Sequence, residues 1–218
     1  MKNLKIFSFF ALFFSFAFFS CNSTAVEKDE SVQKLLKEGR YEEAKGLFIT
    51  KTDINAQDKN GDTALHVCAR INEADLIAFF AFTNADTEIE NADGDTPLLV
   101  AVKNDNIESA KVLIQMGANI FAKDASENSA LQLALAKNEL WYEVMITEKT
   151  GQIRAINGDS IVHYFVRTDD EKAIDFCIKK QLPLSVKNKE GDTPLSLCYK
   201  RADETVPVRI AAELLQAG

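Results

Sequence analysis

The side chains of this chain best suited to chemistry are two histidines and four cysteines. His66 and His163 stand 97 residues apart. Each could act as a general base or a metal ligand only if a second ionisable group converged on it. Neither is flanked by ligand-spaced His, Cys or carboxylates, and no cysteine has a base at catalytic spacing. Four Gly-Asp pairs (Gly61-Asp62, Gly94-Asp95, Gly158-Asp159, Gly191-Asp192) hint at calcium. They lack the clustered carboxylates of a calcium loop, and turn chemistry explains them better. A phosphate-cradling glycine loop is missing too. The expectation is therefore no catalytic residue, no metal and no cofactor.

The elements that carry these residues repeat. Gly61-Asp62-Thr63-Ala64-Leu65 recurs after 33 residues as Gly94-Asp95-Thr96-Pro97-Leu98, and after another 33 as Glu127-Asn128-Ser129-Ala130-Leu131. Gly158-Asp159-Ser160-Ile161-Val162 follows after 31, and Gly191-Asp192-Thr193-Pro194-Leu195 after 33 more. A fixed period of this size signals a solenoid. Each unit reads as a helix start: the Gly permits a tight turn, and the hydroxyl caps the first free N–H groups. Pro97 and Pro194 occupy the first helical position, where a missing N–H costs nothing. Leu65, Val67, Cys68 and Ala69 then form one apolar stripe, and Leu76, Ile77, Phe79 and Phe80 form that of a second helix. Such a pair is too small to bury its own faces and must stack on its neighbours.

Period and residues together resemble the ankyrin repeat, with Gly61-Asp62-Thr63-Ala64-Leu65-His66 at the front and Val112-Leu113-Ile114-Gln115-Met116-Gly117-Ala118-Asn119 at the back. The resemblance covers residues 28–218. It implies an all-α solenoid of stacked helix-turn-helix units with hairpin-like turns, five repeats (53–85, 86–118, 119–149, 150–182, 183–218) after a degenerate one (31–52). Thr63, His66, Thr96, Pro97, His163, Thr193 and Pro194 become motif residues, the imidazoles bonding the neighbouring turn. Cys68 and Cys198 take a position that is normally a buried Ala, and Cys177 that of a buried Leu. Three core thiols follow, with Cys177 and Cys198 in adjacent repeats as the one pair open to bonding. The pattern departs at Glu127, at Ile161-Val162 and in the short third spacing, which leaves the stretch between residues 147 and 158 open. Trp141 reads equally as an exposed aromatic or as packing beneath that turn.

Residues 1–20 read as a signal peptide. Lys2 and Lys5 precede an apolar run from Ile6 to Phe19, which is too short for a membrane-spanning helix. Ser20-Cys21 resembles a bacterial lipobox, which implies cleavage before Cys21, lipidation of its thiol and a polar tether over 21–30. Ordinary secretion and a retained signal anchor are the alternatives. The expected location is the envelope of a bacterium, lipid-anchored at the outer membrane or periplasmic. Without the leader the chain has 23 Lys+Arg against 33 Asp+Glu, a net charge of −10, which argues against nucleic acid and against contact with the membrane other than through the anchor.

The implied function is a monomeric scaffold that binds a partner protein and is not an enzyme. Sequestration of an envelope enzyme as an inhibitor or immunity-type protein is one alternative, and structural self-assembly is another. Family contact positions carried onto the last two repeats include Arg154, Arg167, Lys187, Lys189, Lys200 and Arg201, six positive residues against three negative. The first two full repeats have three positive against four negative. This contrast implies an acidic partner steered to the C-terminal repeats.

Overall fold

The computed structural model describes residues 31–49, 53–201 and 208–217. The leader, the tether, Cys21 and Pro207 lie outside the described residues. Thirteen α-helices and one short 3-10 helix occur among the described residues.

Helices alternate between two rows. The inner row holds α1 (Val32–Lys37), α3 (Ala64–Ile71), α5 (Pro97–Lys103), α7 (Ala130–Leu135), α10 (Ile161–Thr168) and α12 (Pro194–Lys200). In the outer row are α2 (Tyr41–Ile49), α4 (Ala74–Phe80), α6 (Ile107–Met116), α8 (Leu140–Met145), α11 (Glu171–Lys179) and α13 (Val208–Ala217). Inner packs on inner from α1 to α7 and from α10 to α12, and outer packs on outer from α4 to α13. The step from α7 to α10 is the loosest of the inner row. One continuous apolar core runs between the rows and includes Leu65, Ile77, Leu98, Leu113, Leu131, Val144, Phe165 and Ile174.

The helix starts follow the expected capping chemistry. Ser129 Oγ accepts from Gln132 N at 3.1 Å, Thr193 Oγ1 from Ser196 N at 3.1 Å, and Thr96 Oγ1 from Leu99 N at 3.4 Å. Gly61 and Gly158 show why the turn takes glycine. Both have positive φ, and an added Cβ would lie 2.6 Å from Ala92 N and 2.7 Å from Lys189 N. The close approach carries a backbone bond between successive hairpins: Ala92 N donates to Asn60 O at 2.9 Å, and Lys189 N to Asn157 O at 3.1 Å. Glu127 keeps the left-handed conformation at φ 64° without being glycine, at a cost of about 1–2 kcal/mol.

The stretch between residues 147 and 158 forms a helix of its own, α9 (Glu148–Gln152), capped by Thr147 and packed on α6 and α10. It straddles the expected boundary after residue 149. Trp141 is fully buried, and its Nε1 donates to Asp105 Oδ1 at 2.8 Å in the α5–α6 loop of the preceding repeat. Packing, not exposure, is its role. Cys68, Cys177 and Cys198 are buried and free, and burial pushes all three thiols up.

Candidate functional site

The hairpin side of the inner row is built from a repeated charge device. An aspartate one residue past the turn meets a cation eight residues on, at the end of the inner helix. Arg70 grips Asp62 with both nitrogens at 2.7 and 2.9 Å. Lys103 meets Asp95 at 2.6 Å, Arg167 meets Asp159 at 2.7 Å, and Lys200 meets Asp192 at 2.7 Å. The eight-residue spacing recurs four times in the sequence and was a readable signal that the charge count missed. These aspartates are buried. Burial alone would raise the Asp62 carboxyl, but the Arg70 guanidinium and Asn91 amide outweigh it and hold it below the ordinary value. Asp159 is held down in the same way, against burial, by Arg167, Asn188 and Asn157.

Asn91 Nδ2 donates to Asp62 at 3.1 Å and Asn188 Nδ2 to Asp159 at 2.8 Å, so each device reaches into the next repeat. The histidines do likewise. Thr63 N donates to His66 Nδ1 at 3.1 Å, and His66 Nε2 donates to Asp95 O at 2.9 Å. His163 takes Ser160 N at 3.1 Å and gives to Asp192 O at 2.8 Å. A ring nitrogen facing an N–H must be bare and one facing a carbonyl must carry the proton, so both imidazoles are neutral Nε2–H tautomers. They are bridges between repeats.

Burial holds the His66 imidazole below its ordinary value, against the raising pull of the Asp95 carbonyl. Unfolded chain then binds a proton that folded chain does not, so stability declines as pH drops below the ordinary imidazole value of 6.5. The Asp62 and Asp159 pairs contribute stability that is fully present above 3.8 and lost as pH falls through their lower folded values. A melting midpoint recorded against pH should therefore fall in two stages. A profile that stays flat from about pH 7 down to pH 4 would contradict the histidine assignment.

The six cations read as partner contacts separate into two groups. Arg167 and Lys200 hold their own aspartates. Arg201 pairs with Asp169 at 3.0 and 2.9 Å and donates to Val166 O. Arg154 donates to Gly151 O and Ile153 O at 2.7 and 2.8 Å. Lys187 and Lys189 are exposed and have no ion pair among the described residues. Reversing Lys200 or Arg201 would thus also remove a contact within the scaffold, whereas Lys187 and Lys189 present charge outward.

The third full repeat lacks the charge device, having Asn128 and Ala136 at the two positions. There the face opens into a cleft of about 1110 Å³, bordered by hairpin residues from Glu88 to Asp159 and by Tyr164 and Arg167 of α10. Among the described residues, no group of three or more His, Cys, Asp or Glu side chains is placed to hold a metal ion. Nor is any described helix long and apolar enough to cross a membrane.

Comparison with known proteins agrees with this architecture. Residues 23–124 match the family model for ankyrin repeats, in three copies. The fold is an ankyrin-repeat solenoid. An ankyrin repeat protein of fowlpox virus is 36% identical over 81 residues, covering 37% of this chain and 40% of its own length. Neurogenic locus notch homolog protein 1 of Homo sapiens is 34% identical over 148 residues, covering 66% of this chain and 6% of its own length. The chain thus spans less than half the length of these curated relatives. Among solved structures, a complex of a predatory endopeptidase from Bdellovibrio bacteriovorus with an immunity protein matches at a TM-score of 0.49 and 27% identity, covering 86% of this chain and 98% of that one. Ankyrin repeats mediate protein–protein interaction. The family is generally non-catalytic.

Proposed function

We propose that this ankyrin solenoid is exported to a bacterial cell envelope, is anchored there by lipid on Cys21, and holds a partner protein on its hairpin row and inner helices. The observation that carries the binding reading is the locked hairpin row. Buried aspartates paired with cations in four of the five repeats, with a bridging histidine and an inter-hairpin backbone bond at the first and fourth, hold the scaffold and leave the tips outward. A surface fixed before binding loses little conformational freedom on association. Lys187 and Lys189 give the C-terminal tips a positive edge on an acidic chain, which favours an acidic patch on the partner.

Immobilised full chain tests this against two matched charge reversals. Lys187→Glu with Lys189→Glu, on the tips, should slow association of the retained protein, and more so at low salt. Lys111→Glu with Lys179→Glu, on the outer helices, should leave it unchanged. Equal effects from the two pairs would contradict the hairpin face.

Export rests on Lys2, Lys5, the apolar run to Phe19 and Ser20-Cys21. Cys21→Ser should shift the protein from the membrane to the soluble fraction of the cell. Retention in the membrane fraction at the wild-type level would exclude Cys21 as the anchor.

A further inference from the structure

The cleft at the third repeat has three structural causes. First, α7 and α10 form the loosest step of the inner row. Second, the backbone bonds that tie Asn60 to Ala92 and Asn157 to Lys189 have no counterpart at Ala125 or Ile156 among the described residues. Third, Asn128 and Ala136 replace the ion pair that covers the face elsewhere. What the opening uncovers is apolar. Phe121 and Tyr164 are half-buried with ring centroids 6.4 Å apart, and Ile156 is 94% exposed. At the corresponding tip position the other repeats carry Lys59, Ala92, Ala125 and Lys189. A bare isoleucine there contributes nothing to the core.

Charge around the cleft is ordered along the solenoid. Lys103 is spent on Asp124, Lys123 on Glu127 and Arg167 on Asp159. Of the remaining charges, Glu88 accepts only from the neutral donors Asn119 N and Thr87 Oγ1, and Glu90 has no side-chain partner among the described residues. Both belong to the second hairpin. Among the described residues, Arg154 on the fourth hairpin meets only carbonyls, and Lys187 and Lys189, beyond it, have no ion pair. The cleft is therefore negative at its N-terminal wall, apolar in the middle and positive at its C-terminal wall.

We propose that this cleft receives one extended segment of the partner protein: an apolar side chain against Ile156, Phe121 and Tyr164, a basic residue towards Glu88 and Glu90, and an acidic residue towards Arg154. This rests on the protein-binding reading and specifies the segment it would take. Two repeat steps of roughly 10 Å each separate the charged walls. An extended chain covers that distance in about six residues, so the basic and acidic residues stand about six apart with the apolar one between them. Opposite charges at the two walls also fix the direction in which the segment lies.

A random 12-residue peptide library panned on the full chain tests the assignment, with affinities of enriched synthetic peptides measured by fluorescence polarisation. The expected winners carry that spacing. Ile156→Asp should weaken them at least tenfold. Glu90→Lys should weaken them several-fold and be rescued when the peptide's basic residue is changed to an acidic one. Both substituted positions are exposed, so melting midpoints should match the wild type. Failure to enrich any peptide would overturn the proposal. So would winners of a single charge sign that ignore Glu90→Lys, or self-association by light scattering that Ile156→Asp abolishes. Peptides that bind but ignore Ile156→Asp would remove the cleft and leave the protein-binding reading standing.

Discussion

Trp141→Ala lowers unfolding free energy by about 3–5 kcal/mol, the usual cost of emptying a large aromatic site. The cavity dominates this cost. Asp105, the carboxylate that accepts the indole N–H, has a side chain 55% exposed, so water replaces that bond at little expense. Trp141→Phe keeps most of the volume and should cost only about 1–2 kcal/mol. Because this is the single tryptophan of the chain, urea unfolding has to be followed by circular dichroism. Similar midpoints for the two variants would mean that the hydrogen bond, and not the packing, is what the indole supplies.

Leu98→Ala is expected to cost about 2–5 kcal/mol. Leu98 is fully buried on α5, the inner helix flanked by α3 and α7, so the void cannot be filled from solvent. Thr96→Val, two residues earlier, removes only a cap. The bond from Leu99 N to Thr96 Oγ1 is long at 3.4 Å, which places the loss at the low end of capping energies, about 0.5–1 kcal/mol. Denaturant midpoints that rank Thr96 above Leu98 would reverse the assignment of which residue caps and which packs.

How much was legible follows from how local each signal is. The turn glycines, the capping hydroxyls and the apolar stripes act within one repeat, and copying them five times made the solenoid readable. The histidine bridges are legible only through the resemblance to the ankyrin repeat, because the bond from each ring to the next repeat is not a local signal. What could not be read depends on the relation between repeats. A charge count includes Asp159 and Asp192 but does not show that Arg167 and Lys200 pair with them eight residues on, and it leaves out Asp169, a repeat away from Arg201. The shortened spacing before Gly158 marked an irregularity, but its consequences are three-dimensional: α9 fills one side of the joint, and the cleft opens on the other. Trp141 looked ambiguous because its burial depends on Asp105 and the α5–α6 loop, a full period upstream.

On the proposed function, a partner protein sits on the hairpin row and inner helices, not on the outer row. Amide hydrogen exchange on the full chain, with and without a captured partner, tests it most directly. Slowed exchange is expected in the hairpin segments 86–95, 119–127, 154–159 and 187–192, with α4, α6, α8 and α11 unchanged. Protection concentrated on those outer helices, with the hairpins exchanging as in the free chain, would contradict it.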